Sequence, residues 1–189
     1  GTALDILRFQ ADECAVYKQF IDLLGINPSL ITGIGEIPFL PISFFKNHSV
    51  ISGGGNHERT FISSSTTGLT PSRHEVKSLA LCEESFTKAF RMFYGDPQDF
   101  IILGLLPSYL EREGSSLIYM VNKLVELSGN ETGGFFLNDH PALLKSIEKA
   151  RSEKKRILLL GVTYAVLDFA EDHPCDLNDV IIMETGGMK

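Results

Sequence analysis

Between Ala3 and Leu24, apolar Ile6, Phe9, Val16, Phe20, Leu23 and Leu24 recur at helical spacing, with Asp12, Glu13, Lys18, Gln19 and Asp22 mostly between them. The pattern predicts one amphipathic helix, ended near Gly25 and Pro28. Up to Phe45, Pro28, Pro38 and Pro41 fall among isolated apolar residues. Proline lacks the N–H that a helix interior uses, so this stretch reads as an extended strap across a core. Gly53-Gly54-Gly55-Asn56 then breaks the chain in a mobile turn before a new unit begins.

Beyond that break the pattern alternates. Short runs rich in Ile, Leu, Val or Phe predict strands at Thr60 to Ser63, Asp99 to Leu106, Phe135 to Leu137, Arg156 to Val162 and Val180 to Met183. Helical spacing fills Ser78 to Tyr94, Ser116 to Ser128, Pro141 to Lys155 and Thr163 to Asp172. Parallel neighbours need crossovers and helices supply them, so the class is α/β, with a largely parallel sheet flanked by helices and preceded by an N-terminal helix. The expected division is 1–52 for helix and strap and 53–189 for the α/β unit. Ser72 to Glu75 reads as a capping box that starts the next helix early, or else Arg73 to Lys77 is another short strand and Ser78 caps the helix that follows.

Composition narrows the function classes. With 189 residues the chain has the length of one domain with appendages, and a net charge of −7 lacks the electrostatic footprint of a nucleic-acid or anionic-membrane binder. Cys14, Cys82 and Cys175 are widely spaced without a CxxC, which indicates neither a disulfide framework nor a thiolate zinc site and suits a reducing cytoplasm. The longest apolar runs, Ile101 to Leu106 and Ile157 to Val162, fall far below the roughly 20 residues of a spanning helix, so no membrane span is expected. No basic leader followed by an apolar region opens the chain, so secretion is not expected.

Candidate chemistry concentrates after the first strand. Six hydroxyl side chains fall within the eight residues from Ser63 to Thr70, with Gly68 among them and Pro71 following. Hydroxyls and backbone N–H groups in a tight turn can wrap a polyphosphate without formal positive charge. The same composition also describes a merely solvated loop. Neither a GxxxxGK[ST] loop nor a GxGxxG fingerprint occurs. His173-Pro174-Cys175-Asp176 reads as a turn rather than a metal or thiol site, because Pro174 forbids helical spacing of ligands. His140-Pro141 reads as a helix start, with Asp139 or His140 as the cap. Cys82 is expected to pack with Phe86, Phe90 and Phe93, and the 13 Phe are assigned to the core, with an acyl tunnel as the alternative for a few of them. The mixed charges from Glu148 to Arg156 read as a solvated helix face.

Ser63 to Pro71 resembles the phosphate loop of adenylate-forming enzymes, the acyl-CoA synthetase and luciferase superfamily, whose common form reads Ser-Ser-Gly-Thr-Thr-Gly-x-x-Pro. The branch it resembles is the LuxE-like acyl-protein synthetases, or long-chain fatty acid ligases. Further segments are similar to that family in order: Ile37 to Lys46 ahead of the loop, Leu105 to Arg112 with Gly114-Ser115-Ser116, Leu160-Gly161-Val162-Thr163-Tyr164, and Met183-Glu184-Thr185-Gly186-Gly187-Met188-Lys189. Two positions depart from it. Ser65 stands where the family has glycine, and Ser72 and Arg73 stand where many relatives have lysine.

The resemblance implies an N-terminal part of an ATP-dependent ligase that activates a carboxylic acid, a long-chain fatty acid, as an acyl-adenylate for transfer to a thiol or protein. It implies nucleotide binding by Ser63, Ser64, Ser65, Thr66, Thr67, Gly68, Gly186 and Gly187, and acyl binding by Tyr109, Gly161 and Tyr164. ATP would come with Mg2+, and the magnesium-placing acid, a ribose-binding aspartate and a catalytic lysine are expected beyond Lys189, leaving this stretch alone inactive. The implied partners are ATP, the acid, and an acyl-accepting or reductase protein. The alternative is a noncatalytic nucleotide- or acyl-binding or interaction module.

Overall fold

The computed structural model describes residues 1–63, 70–108 and 114–186. The chain forms two compact units, Gly1–Leu79 and Ala80–Lys189. The expected division lay after residue 52, whereas the strand at 59–62 belongs with the first unit.

The first unit opens with two helices where one was expected, α1 (Thr2–Glu13) and α2 (Ala15–Leu23). Cys14 breaks them with extended dihedrals, φ −104° and ψ 103°. The break buries the Cys14 side chain and frees the Glu13 carbonyl, which accepts the Gly53 N–H at 2.7 Å. Gly53, Gly54 and Gly55 all take positive φ, as a run of side-chain-free residues permits.

The strap is less extended than predicted. It contains two single turns of 3-10 helix, Pro28–Leu30 and Ile34–Glu36, and the short helix α3 (Phe44–Asn47). Proline at the start of Pro28–Leu30 is tolerated because the first N–H of a turn is unpaired in any case, and the Asn27 side chain accepts the Ser29 N–H at 3.0 Å. Strap residues Ile26, Ile31, Ile37 and Leu40 pack on Leu7, Ala11, Tyr17 and Ile21. The Tyr17 hydroxyl donates to the Pro38 carbonyl at 2.9 Å, and burial pushes this phenol's pKa up.

A two-stranded antiparallel ribbon completes the unit, with β1 (Arg59–Ile62) facing β2 (Arg73–Val76) in a register that sets Arg59 opposite Val76. Of the two readings of Ser72 to Lys77, the strand is the one that forms.

The second unit contains α4 (Leu79–Phe93, its first residue in the other unit), β3 (Phe100–Leu105), α5 (Ser116–Ser128), β4 (Gly134–Phe135), α6 (His140–Ser152), β5 (Arg156–Val162), α7 (Thr163–Asp172) and β6 (Val180–Thr185). The strands form one parallel four-stranded sheet in the order β4-β3-β5-β6. Ile101, Leu103, Leu105, Ile157 and Leu159 pack with Leu143 and Ile147 of α6 and Phe169 of α7. Their alternates Phe100, Ile102, Leu158 and Leu160 pack with Phe90 of α4 and with Val121 and Leu124 of α5. Both faces being covered, these strands are apolar throughout instead of alternating.

The helix ends follow local chemistry. Ser115 caps α5 by accepting the Ile118 N–H at 3.4 Å, and left-handed Gly129 closes that helix at φ 61°. Asp139 caps α6 by accepting the Ala142 N–H at 2.9 Å, with Pro141 in the first turn. His173 follows the last residue of α7 as its C-cap. Two expectations about phenylalanine need correction. Phe93 is 77% exposed while Phe90, one turn earlier in α4, is buried; Phe9 and Phe39 are also largely exposed, so the phenylalanines do not all serve the core.

Candidate functional site

In open parallel sheets the strands end together at one edge, and ligands bind in the crevice outside the carboxyl ends. In this protein the register sets Leu105, Gly161 and Glu184 side by side at the carboxyl ends of β3, β5 and β6. One residue further, Val162 lies beside Thr185 and the chain turns directly into α7 at Thr163. The Thr163 hydroxyl reaches both the Glu184 carboxylate and the Gly186 carbonyl, tying the start of α7 to the end of β6.

The two glycines at this edge have different physical causes. A Cβ on Gly161 would sit 2.7 Å from Val166 Cγ2 and 3.0 Å from Leu105 Cβ, so its missing side chain lets α7 pack against the sheet. Gly186 has φ +93° and, among the described residues, nothing lies within 4 Å of a notional Cβ, so it is glycine for its backbone conformation. Tyr164, in the first turn of α7, is 41% exposed. The corner thus presents a carboxylate, a carbonyl and a hydroxyl, an acceptor-rich set suited to amino or hydroxyl groups of a ligand rather than to phosphate.

Ser63 lies in the first unit, at the base of the hydroxyl-rich loop. Its N–H donates to the Ser72 carbonyl and its Oγ accepts the Ser72 N–H, both at 2.9 Å, so the two serines clasp the ends of the loop. Ser64, Ser65, Thr66, Thr67, Gly68, Tyr109 and Gly187 lie outside the described residues. Gly161, Tyr164 and Gly186 are brought to one end of the α/β sheet, together with Thr163 and Glu184, to which the sequence reading gave no role. The only sequence signal for that pair is their place at two strand ends; the partnership itself depends on register.

Among the described residues, no group of three or more His, Cys, Asp or Glu side chains gathers to hold a metal ion. No helix among them is long and apolar enough to cross a membrane. Comparison with family models, with curated proteins and with solved structures yields no match for this chain.

Proposed function

We propose that this chain is part of an ATP-dependent acyl-protein synthetase of the LuxE-like, adenylate-forming type, which activates a carboxylic acid, a long-chain fatty acid, for transfer to a thiol or protein. The observation that carries the reading is the polar corner at the carboxyl edge of the parallel sheet, where the Thr163 hydroxyl meets the Glu184 carboxylate and the Gly186 carbonyl. Its acceptors suit the amino and hydroxyl groups of a nucleoside.

In this reading Ser64, Thr66, Thr67 and Gly68 hold the phosphates of ATP, Gly186 and Gly187 admit the adenine plane, and Tyr109 and Tyr164 face the acyl group. The acid's carboxylate attacks the α-phosphorus of ATP and pyrophosphate leaves. Fixing the phosphates lowers the entropic cost of that encounter and offsets charge that builds on the phosphoryl oxygens. The acid that would help hold the accompanying Mg2+ belongs, in this reading, beyond Lys189. A cytoplasmic setting belongs to the same reading, with Cys14, Cys82 and Cys175 as free thiols.

Binding is the test, since the reading assigns further catalytic residues beyond Lys189. A fluorescent ATP analogue titrated into the chain should bind, and the double variant Thr66→Ala/Thr67→Ala should weaken it at least tenfold. Equal binding by the variant would remove the loop from the site, and with it the reading. A noncatalytic nucleotide- or acyl-binding module is the second reading, favoured by Ser65, whose Cβ stands where the backbone would approach phosphate closely. It predicts analogue binding by the native protein without acid-dependent ATP–pyrophosphate exchange.

A further inference from the structure

The first unit contains a cavity of about 1010 Å³, bounded by α1, the strap and the end of β2. Small-molecule sites occupy about 300 to 1,000 Å³, so this volume stands at the upper end of that range. Ile6, Phe9, Ile37, Phe39 and Leu40 are among its apolar lining residues.

The smaller polar part of the lining carries spare hydrogen-bonding capacity. The Lys77 ammonium donates to the carbonyls of Ser52 at 3.3 Å and Gly53 at 3.1 Å, which leaves one of its three N–H bonds. The Ser52 hydroxyl donates to Gln10 Oε1 at 2.8 Å, leaving the Gln10 amide NH2 available. The His74 imidazole has no hydrogen-bond partner among the described residues. Glu13 and Glu75 also line the cavity, and Glu75 accepts from the Ser49 hydroxyl.

These groups select the class of occupant. Two carboxylates against one lysine disfavour a polyphosphate or any other multiply charged anion. An extended peptide would bring backbone N–H and C=O groups that apolar walls leave unpaired, at a cost for each. A methylene chain brings none, and its burial is favourable along its whole length.

We propose that this cavity is a binding site for one amphiphile with a single long apolar chain, whose hydrogen-bonding head meets Gln10, His74 and Lys77. The site lies wholly within the first unit and requires neither ATP nor the carboxyl edge of the parallel sheet. Its success or failure is therefore separate from that of the adenylation reading.

The test is displacement of 11-(dansylamino)undecanoic acid from the full chain by hexanoate, dodecanoate, hexadecanoate and hexadecan-1-ol, each below its aggregation limit. The probe should bind with enhanced fluorescence, and each added methylene should tighten competition by about three- to fourfold until the cavity is full. Phe39→Asp, at a residue 75% exposed, and Ala3→Trp, which narrows the space, should each weaken the probe at least tenfold without changing the circular dichroism. Competition by acid and alcohol alike assigns the head to neutral hydrogen bonding, and competition by acid alone assigns it to a carboxylate; both support the site. The proposal is overturned if the probe does not bind, if competition ignores chain length, or if both variants bind as the parent does. A dimer in sedimentation that Phe39→Asp dissociates, with no probe bound to either form, would give the cavity to a second copy and overturn it as well.

Discussion

In the C-terminal unit all six residues of β3 are buried, their side chains shared between α6 and α7 on one face and α4 and α5 on the other. In the N-terminal unit Ile6, Phe9, Ile34 and Phe39 remain more than half exposed, and they line a cavity instead of closing it. Both units draw on similar apolar residues; what differs is the regularity of the elements that carry them. A parallel sheet presents alternate side chains to two faces, and one helix layer on each face closes both. A strap of single turns linked by proline offers isolated contacts, such as the Tyr17 hydroxyl on the Pro38 carbonyl, and cannot close a layer.

Stability measurements can break this comparison, and the largest effect is expected in the sheet. Leu103→Ala or Leu159→Ala, both fully buried, should cost about 2 to 5 kcal/mol in urea unfolding. Phe39→Ala should stay within about 0.5 kcal/mol, being 75% exposed. Equal losses at the two places would mean that the units do not differ in packing.

A smaller effect is expected at Gly161, where an added methyl meets Val166 and Leu105. Gly161→Ala should destabilise by about 1 to 3 kcal/mol, and adding Val166→Ala should restore part of that. Additive losses in the double variant would show that Val166 is not the obstacle.

The acid side of the stability profile sharpens the picture within the C-terminal unit. The Tyr119 hydroxyl, joined by Lys123, holds Glu83 below the usual glutamate range. A depressed carboxylate contributes stability that is present above the unfolded value of about 4.3 and is lost as pH falls through the lower folded value. Urea midpoints measured from pH 6 down to pH 2.5 should therefore slope less in Glu83→Gln than in the parent. Parallel profiles would remove Glu83 from the acid response. A small effect is also expected in the first unit, where Arg8 and Asp5 pair at 3.5 Å in the open; Arg8→Ala should change stability by less than about 1 kcal/mol.

Much of the C-terminal unit was legible in the sequence because its signals are local. The limits of β5, α5 and α7 follow from apolar runs and helical spacing, and Asp139 and Pro141 mark the start of α6. The strand at 59–62 was also visible, but a short apolar run does not say which sheet it joins, and this one forms an antiparallel ribbon. The break at Cys14 was hidden because helical spacing continues through it, and its compensation comes from distant Gly53. The candidate site was legible only as a set of strand ends. That Gly161 serves the packing of α7, and that Thr163 meets Glu184, depends on contacts no local pattern encodes.

The strand order also shapes how the chain is made. β3 leaves the ribosome early, while its main partner β5 follows roughly fifty residues later, a delay of about 3 to 10 seconds at common rates of elongation. During that interval the segment Phe100 to Leu105 has no β5 to pair with and little polar surface of its own. A strand whose six residues all end buried is thus open to mispairing during synthesis, and β3 is a place where a chaperone that holds extended apolar segments has work to do.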